Sequence, residues 1–428
     1  MKRLLLISPA FPPNATAGAA RCERFARYLQ GFDWGVDVVT IKPRRDFFQD
    51  NKRLNRLGNY LSVHFTSNFS PWVWLRDKRP RHPLIRALRS ILMRIFSFPD
   101  HMLLWALFAV KEGLGICKSK GVDAIYTTSP PHSVHLAGLA LSQLTRKPWV
   151  ADFRDPWTLN PYRRKAIGDG ILLKVERIME KAVLEKSCRV LANTQANRKN
   201  LLRAFPLVEP DKVVYLPNGW EDFPAIGSPI KDDAPLTIVH AGNFYPRFKP
   251  YGLLYALSAW QNGEHLREIP AIRKEDIQVI LLGSSDLETK QLVQNFGIEK
   301  MVHIEPWVPL EDARRIMCQA DALWASLGTG RESSTFVPSK LFEYIASKRP
   351  IIGFFPEGEA ASLIRETGTG VVFTNDDPNP IIQLLHDMIL TKRKKRHKWY
   401  NPNNDAINSY HIERIVDKLN RVLDEAIQ

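Results

Sequence analysis

The sequence predicts an α/β protein that folds into two domains, each built around a parallel sheet. The chain has 428 residues, which is too many for one ordinary hydrophobic core and suits two domains of about 200 residues each. Short apolar runs alternate with helix-like segments almost throughout, as in parallel sheets that helices cover on both faces. The alternation stops at a polar linker, residues 228–235, and then starts again.

The first predicted domain covers residues 1–227. It opens with a strand-like run and a turn rich in glycine and alanine, after which a helix pattern begins. Its strand-like runs are RLLLIS (3–8), VDVVTI (36–41), DAIYTTS (123–129), WVADF (149–153), CRVLAN (188–193) and KVVYLPNG (212–219). We expect no signal peptide, because the apolar run that follows the first two basic residues already ends at Pro9.

The second predicted domain covers residues 236–400, and residues 401–428 predict a C-terminal helix that packs back on the first domain. The strand-like runs here are LTIVHAG (236–242), IQVILLG (277–283), VHIEPWV (302–308), DALWAS (321–326), PIIGFF (350–355) and GVVFT (370–374). Ligands of open parallel sheets bind at the carboxyl ends of the strands. We therefore expect the functional residues to follow strands directly and to face a cleft between the two domains.

Charge and cysteine content narrow the class of protein. The formal net charge of +15 favours anionic partners: nucleic acid, phosphorylated small molecules or an anionic membrane surface. Nucleic acid is the weakest of these, since the basic residues are spread out and form no recognisable module. The four cysteines have neither metal-ligand nor redox spacing, which indicates a reducing compartment (Cys22, Cys117, Cys188 and Cys318).

A helix that begins after Pro338 carries the most informative polar face. Leu341, Phe342 and Ile345 form its apolar face, and the opposite face is polar (Ser339, Lys340, Glu343 and Ser347). The polar face could be solvated, with a pair between Lys340 and Glu343. Alternatively it binds a ligand: the free N–H groups at the helix start attract phosphate, and Glu343 accepts hydrogen bonds from the vicinal hydroxyls of a ribose.

This segment resembles the donor-site helix of the family-four glycosyltransferases, which are retaining enzymes of GT-B fold with two Rossmann-like domains. Their Glu-x7-Glu motif ends in an acid that binds the nucleotide ribose, and Glu343 matches that acid. Thr335 stands where the family has its first acid, which contacts the donor sugar, so the resemblance does not name the sugar. It covers nearly the whole chain and is strongest to a bacterial subgroup that builds sugar polymers.

The loops of the first domain add to the resemblance. Residues 11–29 are similar to the family's first loop and helix, where glycine allows close approach to a ligand, and Gly18 holds that place. His132 in TTSPPHSVH (127–135) either caps a helix or contacts substrate. In ADFRDPW (151–157), Asp152, Arg154 and Asp155 form either an internal ion-pair cluster or part of the catalytic site. Asp155 is the favoured residue to orient or deprotonate the acceptor hydroxyl.

The loops of the second domain imply a diphosphate site. In HAGNFYPRFKP (240–250), Gly242 opens the turn, and the resemblance implies that Arg247 and Lys249 hold the diphosphate. The alternative is that both are solvated loop charges. The family reads the nucleobase near EPWVP (305–309), where Val308 or Trp307 could pack on a base.

Residues 81–110 predict contact with an anionic membrane surface. Within 81–98 apolar residues recur at helical spacing with arginines between them, and no acid occurs from residue 78 to residue 99. The uncharged run at 102–110 is about half of the roughly 20 residues that a spanning helix needs. A core-facing helix with a solvated basic face is the alternative.

Together these features predict a metal-independent, retaining glycosyltransferase that is cytoplasmic and peripheral at the inner face of the cell membrane. It would use a nucleotide-sugar, with UDP favoured, as co-substrate without any further cofactor, and a lipid-linked or polysaccharide acceptor. Two alternatives remain. One is a sugar-nucleotide epimerase of the same architecture, although few histidines occur in the strand-end loops. The other is a non-catalytic protein that docks on membranes, which would not explain Glu343 and Gly242 together.

Overall fold

The computed structural model describes residues 1–43, 48–58, 60–67, 98–222, 234–244, 251–263, 269, 273, 275–283, 286–391 and 399–428. The chain divides into two units. The first unit comprises Met1–Asn218 together with Ile412–Gln428, and the second comprises Gly219–His411. Several sequence-predicted features lie outside the described residues: most of the basic segment at 81–98, the linker residues 228–233, and both Arg247 and Lys249.

The first unit contains a seven-stranded parallel sheet in the order β3-β2-β1-β4-β5-β6-β7. The strands are β1 (Lys2–Ile7), β2 (Trp34–Ile41), β3 (Leu61–Thr66), β4 (Ala124–Ser129), β5 (Trp149–Phe153), β6 (Arg189–Ala192) and β7 (Val213–Tyr215). The helices are α1 (Ala17–Tyr28), α2 (Asn51–Leu54), α3 (Leu103–Lys120), α4 (Ser133–Thr145), α5 (Pro161–Ile167), α6 (Ile171–Lys186) and α7 (Gln195–Ala204).

Alternation along β1 shows how this sheet is covered on both faces. Leu5 and Ile7 point into a core that contains Trp105 and Trp149, whereas Leu4 and Leu6 point into a core on the other face. Because both faces of the sheet are buried, its strands appear in the sequence as continuous apolar runs. The last helix of the chain, Ile412–Ile427, packs on α1 and contributes to the second of these cores.

The second unit contains a six-stranded parallel sheet in the order β10-β9-β8-β11-β12-β13. The strands are β8 (Leu236–Ala241), β9 (Ile277–Leu282), β10 (Val302–Glu305), β11 (Ala322–Ser326), β12 (Ile351–Phe354) and β13 (Gly370–Phe373). The helices are α8 (Tyr251–Gln261), α9 (Leu287–Asn295), α10 (Leu310–Cys318), α11 (Ser339–Ala346), α12 (Glu359–Glu366), α13 (Pro378–Thr391) and α14 (Asn404–Asn408); the helix Ile412–Ile427 of the first unit is α15. Two parallel sheets covered by helices confirm the predicted fold class.

Each sheet has one point where the strand order reverses. In the first unit β1 lies beside β4, and in the second β8 lies beside β11. At such a point the loops that follow the two strands diverge to opposite faces, and the crevice at their carboxyl ends is where open parallel sheets bind ligands. In the second unit, the sequence-predicted residues Gly242 and Lys340 follow β8 and β11, respectively.

Among the helices that the structure describes, none combines the length and the apolar character needed to cross a membrane. The apolar run at 102–110 falls mainly in α3. Trp105 is buried and donates a hydrogen bond from Nε1 to Thr66 Oγ1 at 2.8 Å. Leu107 and Phe108 are instead 64% and 38% exposed. Trp105 therefore belongs to the core, whereas Leu107 and Phe108 can make surface contacts.

A buried ion pair connects α1 to the sheet of the first unit. Arg21 donates from Nε and Nη2 to the two carboxylate oxygens of Asp152, both at 3.0 Å. Asp152 also accepts from Tyr126 Oη at 2.7 Å and from Thr128 Oγ1 at 2.8 Å. Burial by itself would raise the pKa of Asp152, but the Arg21 guanidinium and these hydrogen bonds outweigh it and hold that pKa below its ordinary value. The carboxylate is therefore ionised and fully paired.

We expect Asp152→Ala to lower the free energy of unfolding by about 3–5 kcal/mol, because it leaves the Arg21 charge buried without its partner. Urea unfolding followed by circular dichroism measures this. The double variant Arg21→Met/Asp152→Ala is expected to be more stable than the sum of the single changes predicts, by about 1 kcal/mol or more.

The matched control for this experiment is Asp169→Ala, which removes the acid of an exposed pair with Arg164. It should change the free energy of unfolding by less than about 1 kcal/mol. If Asp152→Ala costs no more than this control, the buried pair does not stabilise the first unit.

Candidate active site

At the carboxyl end of β4, His132 precedes α4 without capping it. The carboxylate of Asp100 caps that helix instead, accepting from the Ser133 backbone N–H at 2.8 Å and from Ser133 Oγ at 2.6 Å. The His132 ring stacks on the Trp157 ring, with 5.1 Å between centroids and 4° between planes. His132 thus occupies the N-cap position, as the sequence left open, but its side chain does not cap the helix, because Asp100 supplies the oxygen that the N-terminal amides require.

The His132 imidazole is neutral near neutral pH. Burial lowers its pKa well below the ordinary value, and the charges of His135, Arg163 and Arg154 lower it further. Its Nδ1 is buried and has no hydrogen-bond partner among the described residues. Such a ring is a weak base, so it is better suited to hydrogen bonding than to proton removal.

Arg154 follows β5 and is held by main-chain oxygens. Its Nε donates to Ser129 O at 3.0 Å and its Nη2 to Pro130 O at 2.7 Å. The guanidinium occupies the space over Gly18: a Cβ atom there would lie 2.0 Å from Nη1. A side chain at residue 18 would therefore displace the Arg154 guanidinium from the start of α1, where Thr16 is the N-cap.

The acids around Arg154 do not form the internal ion-pair cluster that the sequence left open. Asp152 pairs with Arg21, whereas Arg154 bonds to carbonyl groups. Asp155 is half-buried and takes no hydrogen bond from any residue in the described ranges. Burial raises its pKa above the ordinary value; the charge of Arg154 opposes this shift and that of Asp152 adds to it. A carboxylate with a raised pKa is a stronger base than an exposed aspartate.

Two buried acids on α6 support the loop that carries Arg154 and Asp155, and the sequence analysis missed both. Glu176 accepts from Trp157 Nε1 at 3.1 Å and pairs with Arg163. Glu180 accepts from the backbone N–H of Thr158 at 3.2 Å and from its hydroxyl. Their spacing in the sequence could have identified them, because two acids four residues apart lie on the same face of a helix.

In the second unit, Glu343 is buried in α11 and paired. Only 7% of the residue is exposed. Arg314 of α10 donates from Nε to Glu343 Oε2 at 2.9 Å, and Glu221 Oε2 lies 3.6 Å from Arg314 Nη2. The solvated polar face and the pair between Lys340 and Glu343 were therefore wrong alternatives. The carboxylate is instead held by an arginine from the neighbouring helix.

Lys340 bonds to a histidine that the sequence analysis did not select. Its Nζ lies 3.0 Å from His240 Nε2, while His240 Nδ1 lies 2.8 Å from Trp324 O. Nδ1 must donate to that carbonyl oxygen, so Nε2 of the neutral ring is the acceptor for Lys340. The His240 ring also stacks on Phe244, with 3.8 Å between centroids. Burial, and then the charge of Lys340, lower the pKa of His240 well below its ordinary value.

Glycines border this pair at the ends of β8 and β9. Gly242 has a φ of +101°, and a Cβ atom on it would lie 3.1 Å from Lys340 Nζ. Gly283 has a φ of +88°, and a Cβ atom there would lie 3.8 Å from the Gly242 Cα and 3.9 Å from Trp307. The positive φ values favour glycine at both positions. The resulting surface at the strand ends is made of backbone, which a ligand can approach closely.

The remaining donor-site candidates occupy partly accessible positions. Thr335, Ser339 and Val308 are all half-buried. No side chain in the described part of the chain caps α11 at Pro338, and its first turn contains no acid. The start of α11 therefore presents free N–H groups and the positive end of the helix dipole. No carboxylate in that turn compensates this positive charge.

Two family models match consecutive parts of the chain. Residues 16–219 match the "Glycosyl transferase 4-like domain", and residues 236–390 match "Glycosyl transferases group 1". A curated relative is granule-bound starch synthase 2, chloroplastic/amyloplastic, of Solanum tuberosum. It is 25% identical over 186 residues, which make up 41% of this chain and only 21% of the synthase.

Solved structures share the fold over almost the full length. Sucrose-phosphate synthase from Thermosynechococcus elongatus matches with a TM-score of 0.68 and 16% identity, covering 99% of both chains. Anabaena HepE in complex with UDP-glucose matches with a TM-score of 0.65 and 15% identity, covering 99% of this chain and 100% of that one. The two domain matches, in this order and on this fold, mean that the chain belongs to the GT-B glycosyltransferases of the glycosyl transferase 4-like and group 1 type.

Proposed function

We propose that this glycosyltransferase moves a sugar from a UDP-sugar to a lipid-linked or polysaccharide acceptor, with retention at the anomeric carbon. The observation that carries the proposal is the arrangement around α11. A buried, arginine-paired carboxylate (Glu343) lies one turn beyond an uncapped helix start that carries Lys340. That combination suits a ribose diphosphate, whose two hydroxyls need an acceptor and whose phosphates need N–H groups and a cation.

In this proposal the second unit holds the donor. Glu343 accepts the ribose hydroxyls, and Ser339 and Lys340 face the diphosphate at the helix start. Gly242 allows the phosphates to approach its backbone closely. Val308 packs against the base, and Thr335 lies toward the sugar. Arg247 and Lys249, outside the described residues, are proposed to add charge to the diphosphate. The uracil base is favoured because the structurally similar HepE is in complex with UDP-glucose.

The first unit is proposed to prepare the acceptor. Asp155 accepts the proton of the acceptor hydroxyl while the bond from C1 to the diphosphate oxygen breaks and the bond from C1 to the acceptor oxygen forms on the same face. Arg154 and the neutral His132 orient the reacting groups. The diphosphate leaves with added negative charge, which Lys340 and the start of α11 stabilise. These protein cations make a metal ion unnecessary in the scheme.

We expect Glu343→Ala to weaken UDP binding at least tenfold, since the ribose hydroxyls lose a charged acceptor. Isothermal titration of UDP, GDP and ADP measures this and identifies the base. Glu343→Gln keeps the side-chain volume while removing the charge, so it should show a similar loss of affinity with less loss of stability. Glu366→Ala, which changes an exposed acid of α12, is the matched control. Unchanged UDP affinity in both Glu343 variants would contradict the ribose role.

We expect Asp155→Asn to lower kcat by about 10²–10⁴-fold while leaving UDP affinity unchanged, because it removes the proposed base. A base must be ionised, so activity should fall as pH decreases through the raised pKa of Asp155. Measuring UDP release from the UDP-sugar between pH 5 and 8, with membrane lipid extract as the acceptor source, records this acidic limb of the pH–activity profile.

In Asp155→Asn the acidic limb should disappear from the residual activity. The control is Asp211→Asn, which changes an exposed aspartate of the same unit. If both variants keep the wild-type rate and pH profile, Asp155 is not the base.

We further propose that the enzyme acts at the inner face of the cell membrane. Support within the described residues comes from the exposed Leu107 and Phe108 on α3, which lie in the predicted contact region 81–110. The net charge of +15 would add attraction to anionic lipids. A lipid-linked acceptor would explain why a glycosyltransferase needs this contact.

We expect Leu107→Ser/Phe108→Ser to weaken binding to phosphatidylglycerol-containing vesicles by at least about tenfold, as measured by co-sedimentation, because full burial of each apolar side chain in lipid contributes about 1.5–3 kcal/mol. Leu144→Ser is the matched control, since Leu144 is also 64% exposed but lies on α4, outside residues 81–110. Equal sedimentation of the double variant, the control and the wild type would exclude these two residues from membrane contact.

A further inference from the structure

Lys340 is a cation whose bonding partner carries no negative charge. Its Nζ bonds to the neutral imidazole of His240, and within the described part of the chain no carboxylate contacts it. Glu343, three residues further along the same helix, pairs instead with Arg314, which also lies 3.6 Å from Glu221. Because His240 donates to Trp324 O through Nδ1, its Nε2 can only accept from Lys340.

The surroundings of Lys340 also oppose a positive charge. Lys340 is the second residue of α11, so its charge lies beside the positive end of the helix dipole. The Tyr344 hydroxyl, one turn along the same helix, is occupied by the Ala241 backbone N–H at 2.7 Å. His240 of β8 contacts the amine, and a Cβ atom on Gly242, directly after β8, would lie 3.1 Å from it. Although part of the side chain is exposed, burial lowers the pKa of Lys340 to about 7.

We propose that Lys340 is a proton-linked phosphate ligand: it gains a proton from solvent when the donor diphosphate binds beside it. Free of ligand, the amine is held by His240 with its charge only partly compensated. A diphosphate placed at the start of α11 supplies the missing negative charge, so the protonated amine becomes the favoured form. The inference rests on the proposed function, since it assumes that the diphosphate binds at this helix start.

The direction of the pH dependence follows from this linkage. At a pH well below about 7, Lys340 is already protonated, and binding takes up no proton at this site. Above pH 7 the free protein has lost that proton, and binding must restore it. Affinity for UDP should therefore fall by up to about tenfold per pH unit above 7, until the pKa of the bound state is reached. Arg247 and Lys249, also predicted near the phosphates, do not reproduce this behaviour while they remain protonated over the range.

The test is isothermal titration of UDP at pH 8.0 in HEPES and in Tris, whose ionisation enthalpies differ. The difference in binding enthalpy between the buffers gives the number of protons taken up. Because the free pKa is about 7, we expect about nine-tenths of a proton for the wild type at pH 8.0 and about a quarter of a proton at pH 6.5, after subtraction of the contribution of UDP itself. Lys340→Arg supplies that contribution, because guanidinium stays protonated throughout.

Two variants separate the outcomes. Lys340→Arg should bind UDP at pH 8.0 without proton uptake and with an affinity nearly independent of pH from 7 to 9. Lys340→Met should bind about ten- to a hundredfold more weakly at pH 7, also without uptake. Wild-type binding with no proton uptake at pH 8.0, or equal uptake in Lys340→Arg, would overturn the inference while leaving the donor site intact. Failure of the wild type to bind UDP at any pH would instead reject the proposed function.

Discussion

The first unit depends on the pairing of Asp152 with Arg21. A carboxylate fully buried at the end of β5 is tolerated only because a guanidinium and two hydroxyls compensate it. The same guanidinium donates to Leu216 O and Pro217 O, so α1 is fixed against both the sheet and the segment after β7. With α1 fixed, Gly18 lies directly under Arg154. The position of Arg154 over the start of α1 thus follows from the buried pairing of Arg21.

The second unit also pairs a buried carboxylate with an arginine, here on α11. Glu343 is withdrawn from water and held by Arg314 from the adjacent helix, which fixes the direction of the carboxylate. Lys340, three residues earlier, is not used to neutralise it and turns to His240. The cation and the anion of one helix are therefore kept apart. This separation suits the proposed nucleotide diphosphate, whose ribose needs a hydrogen-bond acceptor while its phosphates need donors.

Local patterns predicted much of the fold and less of the site. WVADF marked β5 at Trp149–Phe153, since a strand buried on both faces is a continuous apolar run. The α11 pattern identified Glu343 and Lys340, but periodicity gives only the face of a helix. One of the two alternatives paired these residues with each other, whereas Glu343 and Lys340 bond to Arg314 and His240, which lie 29 and 100 positions away. Asp152 was likewise compared with its neighbour Arg154, although its partner is 131 positions away.

The choice of a neutral partner for Lys340 has a chemical consequence. A carboxylate in the place of His240 would neutralise the ammonium permanently and would repel the arriving diphosphate. An imidazole locked by Trp324 O positions the amine without supplying charge, so the electrostatic interaction stays available to the ligand. The negative charge on the diphosphate increases as the sugar leaves. In the proposed reaction, a lysine whose proton is held most firmly when that charge is present would favour the departing state over the bound donor, and differential stabilisation of this kind would accelerate the transfer step.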